Sequence, residues 1–251
     1  MYFVFDLKRF LLWTLIVMLC IGLCAGGNKI AETFKVGERE IPIYSVERDD
    51  NKIALTFNCA WNDSDIDRII EILKGNNVGA TFFAVGDWAE KYPQAVKKID
   101  AAGFEIGNHS YNHAHYAKMS KQDILSDMKK ADDVISAITG KPVKYFRAAY
   151  GEYTNDVVTA CDESGRIYIQ WQTDSLDYKA KSAEEIAARV LKRVSPGDII
   201  LMHNGTEFTA NALEELVPKL KESYTLVPVS DLIYEDNYTI DAAGRQHKNE
   251  G

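Results

Sequence analysis

Short apolar runs alternate with amphipathic segments from Lys52 to about Ile233. The apolar runs have the length and the β-branched and aromatic content of buried strands. The predicted strands are Ile53–Phe57, Ala80–Val85, Phe104–Gly107, Val143–Phe146, Ile167–Trp171, Ile199–Met202 and Thr225–Val227. Because strand and helix alternate throughout this part of the chain, we expect a parallel α/β sheet covered by helices.

The segments between these strands carry apolar residues at helical spacing. In the first of them, Ile66, Ile69 and Leu73 fall on one face. Further helices are predicted from Pro93 to Gly103, from Ile124 to Ile138, from Asn155 to Ser164, from Ser182 to Val194, and around Leu213 to Leu220. About seven strand–helix repeats favour a closed or nearly closed (β/α) barrel, with an open doubly wound sheet as the alternative.

The two ends of the chain differ from this regular part. Residues 10–25 form a nearly unbroken apolar run after Lys8 and Arg9, which predicts a transmembrane or signal helix within residues 1–26. The basic pair places the rest of the chain outside the membrane. We favour an uncleaved single-pass anchor over a cleaved signal, which would give a secreted protein. The remaining predicted segments are a juxtamembrane spacer at 27–50 with a strand around Ile41–Tyr44, a folded domain at 51–235, and a loosely ordered polar tail at 236–251.

Composition narrows the possible partners. The chain of 251 residues has a formal net charge of −8, which argues against nucleic acid because phosphates require a basic surface. Cys59 and Cys161 are the two cysteines of the predicted folded domain, and two cysteines do not make a disulfide framework.

Residues that could bind a ligand or take part in catalysis follow the predicted strands. In parallel α/β folds, binding and catalytic sites form at the carboxyl ends of the strands. The residues at these ends are Asn58, Cys59, Ala60, Trp61, His109, His113, Arg147, Tyr150, Asp174, Asp177 and His203. Three of the five histidines therefore stand where a site is expected.

His109 and His113 are four residues apart. One turn of helix would place them on the same face, and two neutral imidazoles held in this way can bind one divalent ion. By themselves, the two histidines are slightly more typical of hydrogen-bonded loop residues.

Five short motifs in a fixed order carry a family resemblance. They are Thr-Phe at 56–57, His-Ser-x-x-His at 109–113, Arg-x-x-Tyr-Gly at 147–151, Trp-x-x-Asp-x-x-Asp at 171–177 and Leu-Met-His at 201–203. Together they resemble the polysaccharide deacetylase family, with the NodB homology domain of carbohydrate esterase 4-like enzymes. Ala60-Trp61 after the first motif is similar to the sporulation-associated branch. The resemblance spans Lys52 to Ile233 and implies a distorted (β/α) barrel that removes acetyl groups from N-acetylated sugars.

The resemblance also implies roles for individual residues. His109 and His113 would bind a divalent metal, usually zinc, which polarises the acetyl carbonyl and activates water. His203 would be the general acid, and Asp174 would orient it. Arg147 would hold the catalytic base.

The same resemblance implies a substrate pocket. The backbone N–H at Tyr150 would stabilise the oxyanion. Trp171, Leu176 and Leu201 would form the pocket walls.

The chain departs from the family pattern in the first motif. The family has Thr-Phe-Asp-Asp-Gly, in which the first Asp is the base and the second is the third metal ligand. Here those positions are Asn58 and Cys59. An amide cannot accept a proton near neutral pH, so Asn58 cannot be the base. Cys59 is either a thiolate ligand or a small buried apolar residue, and both interpretations stay open.

Three functions follow from these observations. The first is a membrane-anchored, metal-dependent deacetylase that acts on peptidoglycan or a related N-acetylglucosamine glycan. The second is a catalytically weak or inactive glycan-binding relative, because of Asn58 and Cys59. The third is a scaffold in the cell envelope. For the enzyme, Asp177 or Asp63 is a possible substitute base, and Asp174 is the expected new partner of Arg147.

Overall fold

The computed structural model describes residues 40–249. The apolar run at 10–25 and the predicted anchor lie outside the described residues, as do residues 27–39 of the predicted spacer. Between residues 40 and 249, no helix is both long and apolar enough to cross a bilayer. The anchor and the membrane localisation therefore stay predictions.

Eight parallel strands form the central sheet within the described residues. They are β2 (Lys52–Cys59), β3 (Thr81–Ala84), β4 (Glu105–Asn108), β5 (Tyr145–Phe146), β6 (Ile167–Tyr168), β7 (Thr173–Asp174), β8 (Ile199–His203) and β9 (Thr225–Val227). The order is β6-β5-β4-β3-β2-β8-β7, and β9 pairs with the amino-terminal half of β2. The predicted parallel α/β architecture is confirmed, with β6 and β7 at the two ends of an open half-barrel.

Helices cover the outside of this sheet. They are α1 (Ile66–Gly75), α2 (Gly86–Lys91), α3 (Pro93–Ala101), α4 (Lys121–Thr139), α5 (Asn155–Glu163), α6 (Ala183–Arg193), α7 (Thr209–Lys221) and α8 (Val229–Leu232). The long helix α4 begins where the Ser120 side chain accepts a hydrogen bond from Asp123 N, and it ends at Gly140 with φ 71°. Both ends follow the sequence rules for helix caps. The short strand β7 and helix α2 were not predicted.

The strand β2 has one face toward the helices and the other toward the inside of the half-barrel. Its residues Ile53, Leu55, Phe57 and Cys59 belong to the large apolar core shared with the helices. The intervening Thr56 and Asn58 contact the buried side chain of Arg147 instead. Because side chains alternate along a strand, neighbouring residues of the first motif are directed to opposite faces.

The prediction of a loosely ordered tail after Glu235 is wrong for its described part. Strands β10 (Tyr238–Ile240) and β11 (Arg245–Lys248) form an antiparallel hairpin, and β11 pairs in parallel with β1 (Ser45–Val46). The buried side chain of Gln246 bonds both backbone polar groups of Tyr234. These backbone partners come from residues distant in sequence, so local polarity gave no sign of the pairing.

Residues just before β2 also belong to the fold. Ile43 pairs with Ile169 beyond the end of β6, and Ser45 pairs with Asp198 just before β8. Val46 N donates to Gly197 O at 2.9 Å. The predicted strand at Ile41–Tyr44 is therefore displaced by a few residues, and this segment bridges the opening of the half-barrel.

Replacing Gly197 by alanine tests this bridge. Gly197 has φ +83°, and an added Cβ would lie 1.7 Å from Val46 O. Gly103 has φ +85° with no atom within 4 Å of such a Cβ. We expect Gly103→Ala to cost about 1 kcal/mol and Gly197→Ala at least about 3 kcal/mol in free energy of unfolding, because only the latter adds a backbone clash. Urea denaturation measures both values, and equal losses would contradict the contact.

Candidate active site

The two histidines of the second motif lie on a loop after β4. Ser110 and His113 have φ values of 66° and 56°, so the chain between His109 and His113 is not helical. The expected helical turn is therefore wrong. The imidazole rings still lie side by side, with centroids 5.1 Å apart and an interplanar angle of 76°. Two left-handed residues in the loop bring the rings together.

The His109 ring is held in one tautomer. Its Nδ1 lies 2.8 Å from the backbone oxygen of Arg147, and a carbonyl can only accept, so Nδ1 carries the proton. The other ring nitrogen, Nε2, is buried without a hydrogen-bond partner among residues 40–249. Burial lowers the pKa of His109 well below its usual value and keeps the ring neutral. A free lone pair on a ring whose other nitrogen donates to a carbonyl fits a metal ligand.

Acidic residues of α4 hold this loop in place. Asn108 donates to Asp132 Oδ1 at 2.6 Å and accepts from Ser110 N at 2.8 Å. Asp127 Oδ1 accepts from Tyr111 N at 2.7 Å. The hydrophobic pattern and the motifs did not predict these supporting residues. The sequence feature that could have indicated them is Asp132, a carboxylate next to the apolar residues by which α4 faces the core.

Cys59 does not join the histidine pair. It is fully buried in the apolar core between sheet and helices, and its burial raises the pKa of the thiol well above the usual value. Among the described residues, no group of three His, Cys, Asp or Glu side chains could hold a metal ion. The geometry thus favours the buried apolar role of Cys59 over its predicted role as ligand. The residues that would hold a metal are His109 and His113, whose rings lie side by side.

Arg147 lies at the centre of the site and is fully buried. Nη1 donates to Thr56 Oγ1 at 2.9 Å and to Asn58 Oδ1 at 3.0 Å. Nη2 and Nε donate to the backbone oxygens of Gln170 and Ile169. The expected partner Asp174 does not contact it, which corrects the prediction. Burial lowers the pKa of Arg147 to about 9, so the guanidinium is still cationic at pH 7.

His203 is oriented by Asp177 rather than by Asp174, which is a second correction. His203 Nδ1 lies 2.8 Å from Asp177 Oδ1, and His203 N donates to Asp177 Oδ2 at 2.7 Å. Thr209 Oγ1 also donates to Asp177 Oδ2, at 2.6 Å. Asp174 Oδ1 instead accepts from Leu176 N at 2.8 Å. The two carboxylates are three residues apart in one motif, so the sequence did not distinguish them.

These groups surround an open cavity of about 360 Å³. Its lining residues are Asn58, Ala60, Trp61, His113, Tyr150, Trp171, Asp174, Tyr178, Leu201 and His203. The predicted pocket residues Tyr150, Trp171 and Leu201 are all among them, whereas Leu176 is not. The cavity therefore collects most of the residues that the sequence placed at separate strand ends.

Three exposed aromatic side chains stand around the cavity. Trp61, Tyr150 and Tyr178 are each about half exposed, at 47%, 56% and 49%. The rings of Trp61 and Tyr178 lie 5.2 Å and 5.4 Å from the His203 ring. Solvent-exposed aromatic rings at the mouth of a cavity are typical of surfaces that contact a ligand. Tyr178 was not predicted as a pocket residue, although Tyr178 directly follows Asp177 in the sequence.

Zinc binding by alanine variants separates the two interpretations of Cys59. We expect Cys59→Ala to leave zinc affinity unchanged within about twofold, because its thiol faces the apolar core. His113→Ala should lower the affinity by at least about tenfold, as loss of a ligand costs more than loss of a supporting residue. Competition with a chelator measures both affinities. An equal loss in the two variants would restore Cys59 as a ligand.

The tautomer of His203 reports its carboxylate partner. Asp177 accepts at Nδ1, so the neutral ring carries its proton there. In Asp177→Asn, an amide N–H facing Nδ1 should move the proton to Nε2. Asp174→Asn should leave the tautomer unchanged. Long-range ¹H–¹⁵N NMR spectra of the histidine rings measure the tautomer, and a shift caused by Asp174→Asn would contradict the assignment.

Comparison with known proteins identifies the family that this chain resembles. The family model described as Polysaccharide deacetylase matches residues 45–169. A peptidoglycan-N-acetylglucosamine deacetylase from Bacillus cereus is 33% identical over 174 residues, covering 68% of this chain and 63% of that protein. The chain thus spans less than two thirds of that relative's length.

Solved structures show the same similarity. A CE4 family pseudoenzyme from Bacillus anthracis is 33% identical with a TM-score of 0.75, over 83% of this chain and 73% of that one. A mutant of that pseudoenzyme with restored enzymatic activity is 34% identical with a TM-score of 0.75, over 77% and 71%. The chain therefore belongs to the polysaccharide deacetylase family, hydrolases of the carbohydrate esterase 4 type.

Proposed function

We propose that the protein binds N-acetylated cell-wall glycan in the cavity at the strand ends and hydrolyses its acetamide slowly. The observation that carries the proposal is the cavity itself, which is lined by His113 and His203 and has Asn58 at the position of the base. The His109 ring lies beside His113, and Asp177 holds the His203 ring. Similarity to peptidoglycan deacetylases supports the choice of glycan. If the predicted anchor exists, the site acts outside the membrane, where such a glycan lies.

His109 and His113 would hold a divalent metal, and zinc suits a site of two neutral imidazoles. When bound, the metal supplies Lewis acidity toward the acetyl oxygen and a more acidic water. His203 supplies a proton to the departing amine from Nε2, because Nδ1 is engaged by Asp177. As the acid, the His203 ring carries a proton on each nitrogen. Asp177 keeps the ring oriented, because Oδ1 accepts from His203 Nδ1 while Oδ2 accepts from Thr209.

The chain lacks a proton acceptor at position 58. Asn58 Oδ1 accepts from Arg147, and its amide nitrogen is a donor. Loss of a general base typically lowers the rate by roughly 10²–10⁴. We therefore propose an attenuated deacetylase.

A second candidate function is glycan binding without turnover. Asn58 and the buried Cys59 favour it, and so does the similarity to a CE4 family pseudoenzyme. In this case the cavity would hold an intact N-acetylated glycan.

Acetate release from N-acetylglucosamine oligosaccharides, with zinc present, tests the proposal. Asn58→Asp restores a carboxylate beside Arg147, and we expect the rate to rise by roughly 10²–10⁴. Adding His203→Ala to that variant should remove the gain, because the general acid is lost.

Asn51→Asp is the matched control, since it makes the same chemical change at an exposed position just before β2. Equal rates for the native chain and Asn58→Asp would contradict attenuation at position 58. Glycan binding without acetate release by the native chain would favour the second function.

A further inference from the structure

Within the described residues, a buried positive charge without a carboxylate partner lies behind the cavity-lining residue Asn58. Arg147 is fully buried, and its guanidinium bonds a hydroxyl, an amide oxygen and two backbone carbonyls. Among residues 40–249, no carboxylate forms an ion pair with it. A buried cation is costly unless it is paired, so the site gains free energy from an anion placed near Arg147.

Asn58 presents a donor to the cavity from the same place. Because Arg147 can only donate, Asn58 must direct Oδ1 toward the guanidinium and Nδ2 away from it. Asn58 lines the cavity, and within the described part of the chain its Nδ2 donates to no protein atom. The two N–H bonds of the Asn58 amide therefore face the cavity. The positive charge of Arg147 lies on the other side of the Asn58 side chain.

The surrounding wall is compatible with an anion at the floor. Asp174 is the one carboxylate that lines the cavity in the described residues, and its Oδ1 is engaged by Leu176 N. The remaining lining groups are aromatic, aliphatic or imidazole side chains. The rim aromatics Trp61, Tyr150 and Tyr178 offer flat apolar faces on which a sugar ring can rest.

We propose that this cavity selects a sugar that carries a carboxylate, with the carboxylate bound at Asn58 Nδ2 in the field of Arg147. The inference rests on the proposed glycan function and specifies the chemical class of its ligand. A carboxylate oxygen accepts from an amide N–H and neutralises a nearby guanidinium at the same time. An uncharged acetyl oxygen would satisfy the amide donor but not the charge of Arg147.

Binding of N-acetylmuramic acid and its methyl ester to the full chain tests the charge preference. The two sugars share the lactyl ether and differ in the negative charge. We expect the acid to bind at least about tenfold more tightly than the ester, as measured by NMR titration. N-acetylglucosamine serves as the neutral sugar without the lactyl group.

The variant Asn58→Asp replaces a neutral amide by a negatively charged carboxylate with almost no change in the shape of the side chain. It places a carboxylate on Arg147, so the preference for the acid over the ester should fall below about twofold. Asn51→Asp adds the same charge at an exposed site that immediately precedes the first residue of β2. This variant should keep the preference for the acid over the ester. Thermal unfolding of each variant confirms that it is folded before titration.

Titrations with a chelator and with zinc locate the carboxylate. The proposal requires the preference in both conditions, because Asn58 and Arg147 are present in both. A preference seen only with zinc would overturn it, since the carboxylate would then be a metal ligand. Equal affinity for acid and ester in the native chain, or an unchanged preference in Asn58→Asp, would also overturn it. If N-acetylglucosamine still binds in those cases, the glycan function survives; if none of the sugars binds, that function fails as well.

Discussion

The hydrogen bonds of one buried arginine organise this site. The Arg147 guanidinium joins β2, through Thr56 and Asn58, to the segment after β6, through the carbonyls of Ile169 and Gln170. Its own backbone oxygen accepts from His109. One residue thereby connects three strand ends and sets the tautomer of a candidate metal ligand. Removing such a residue would leave several buried polar groups unpaired at once, which is why the site depends on it.

The exchange of a carboxylate for an amide at position 58 changes the chemistry while the geometry is kept. Asn58 still accepts from Arg147 at 3.0 Å, so the position retains its hydrogen bond. It no longer supplies a negative charge or a proton acceptor. The His203–Asp177 pair does not contact position 58 and keeps an ordered donor arrangement. The cavity therefore keeps its shape and its polar lining without a carboxylate at position 58.

Cys59 illustrates why two adjacent substitutions need not have related effects. The pleat of β2 directs Asn58 toward Arg147 and Cys59 toward Phe57 and the helical layer. A thiol in that layer is a small apolar side chain, and its burial keeps it protonated. Compared with the Asp-Asp of the family's first motif, Asn58 removes a negative charge from the cavity, whereas Cys59 places a compact apolar residue in the core.

The sequence by itself determined the strand–helix alternation, the parallel architecture and the positions of the chemically active residues at strand ends. These features depend on local hydrophobic patterns and on motif order, both of which can be read along the chain. Only the tertiary structure decided which side chains touch. It assigned Asp177 to His203, placed Cys59 in the core, and paired the C-terminal hairpin with β1. It also showed that Arg147 has no carboxylate partner among residues 40–249. Such contacts join residues distant in sequence or choose between near neighbours by the direction of a side chain, and a one-dimensional pattern contains neither piece of information.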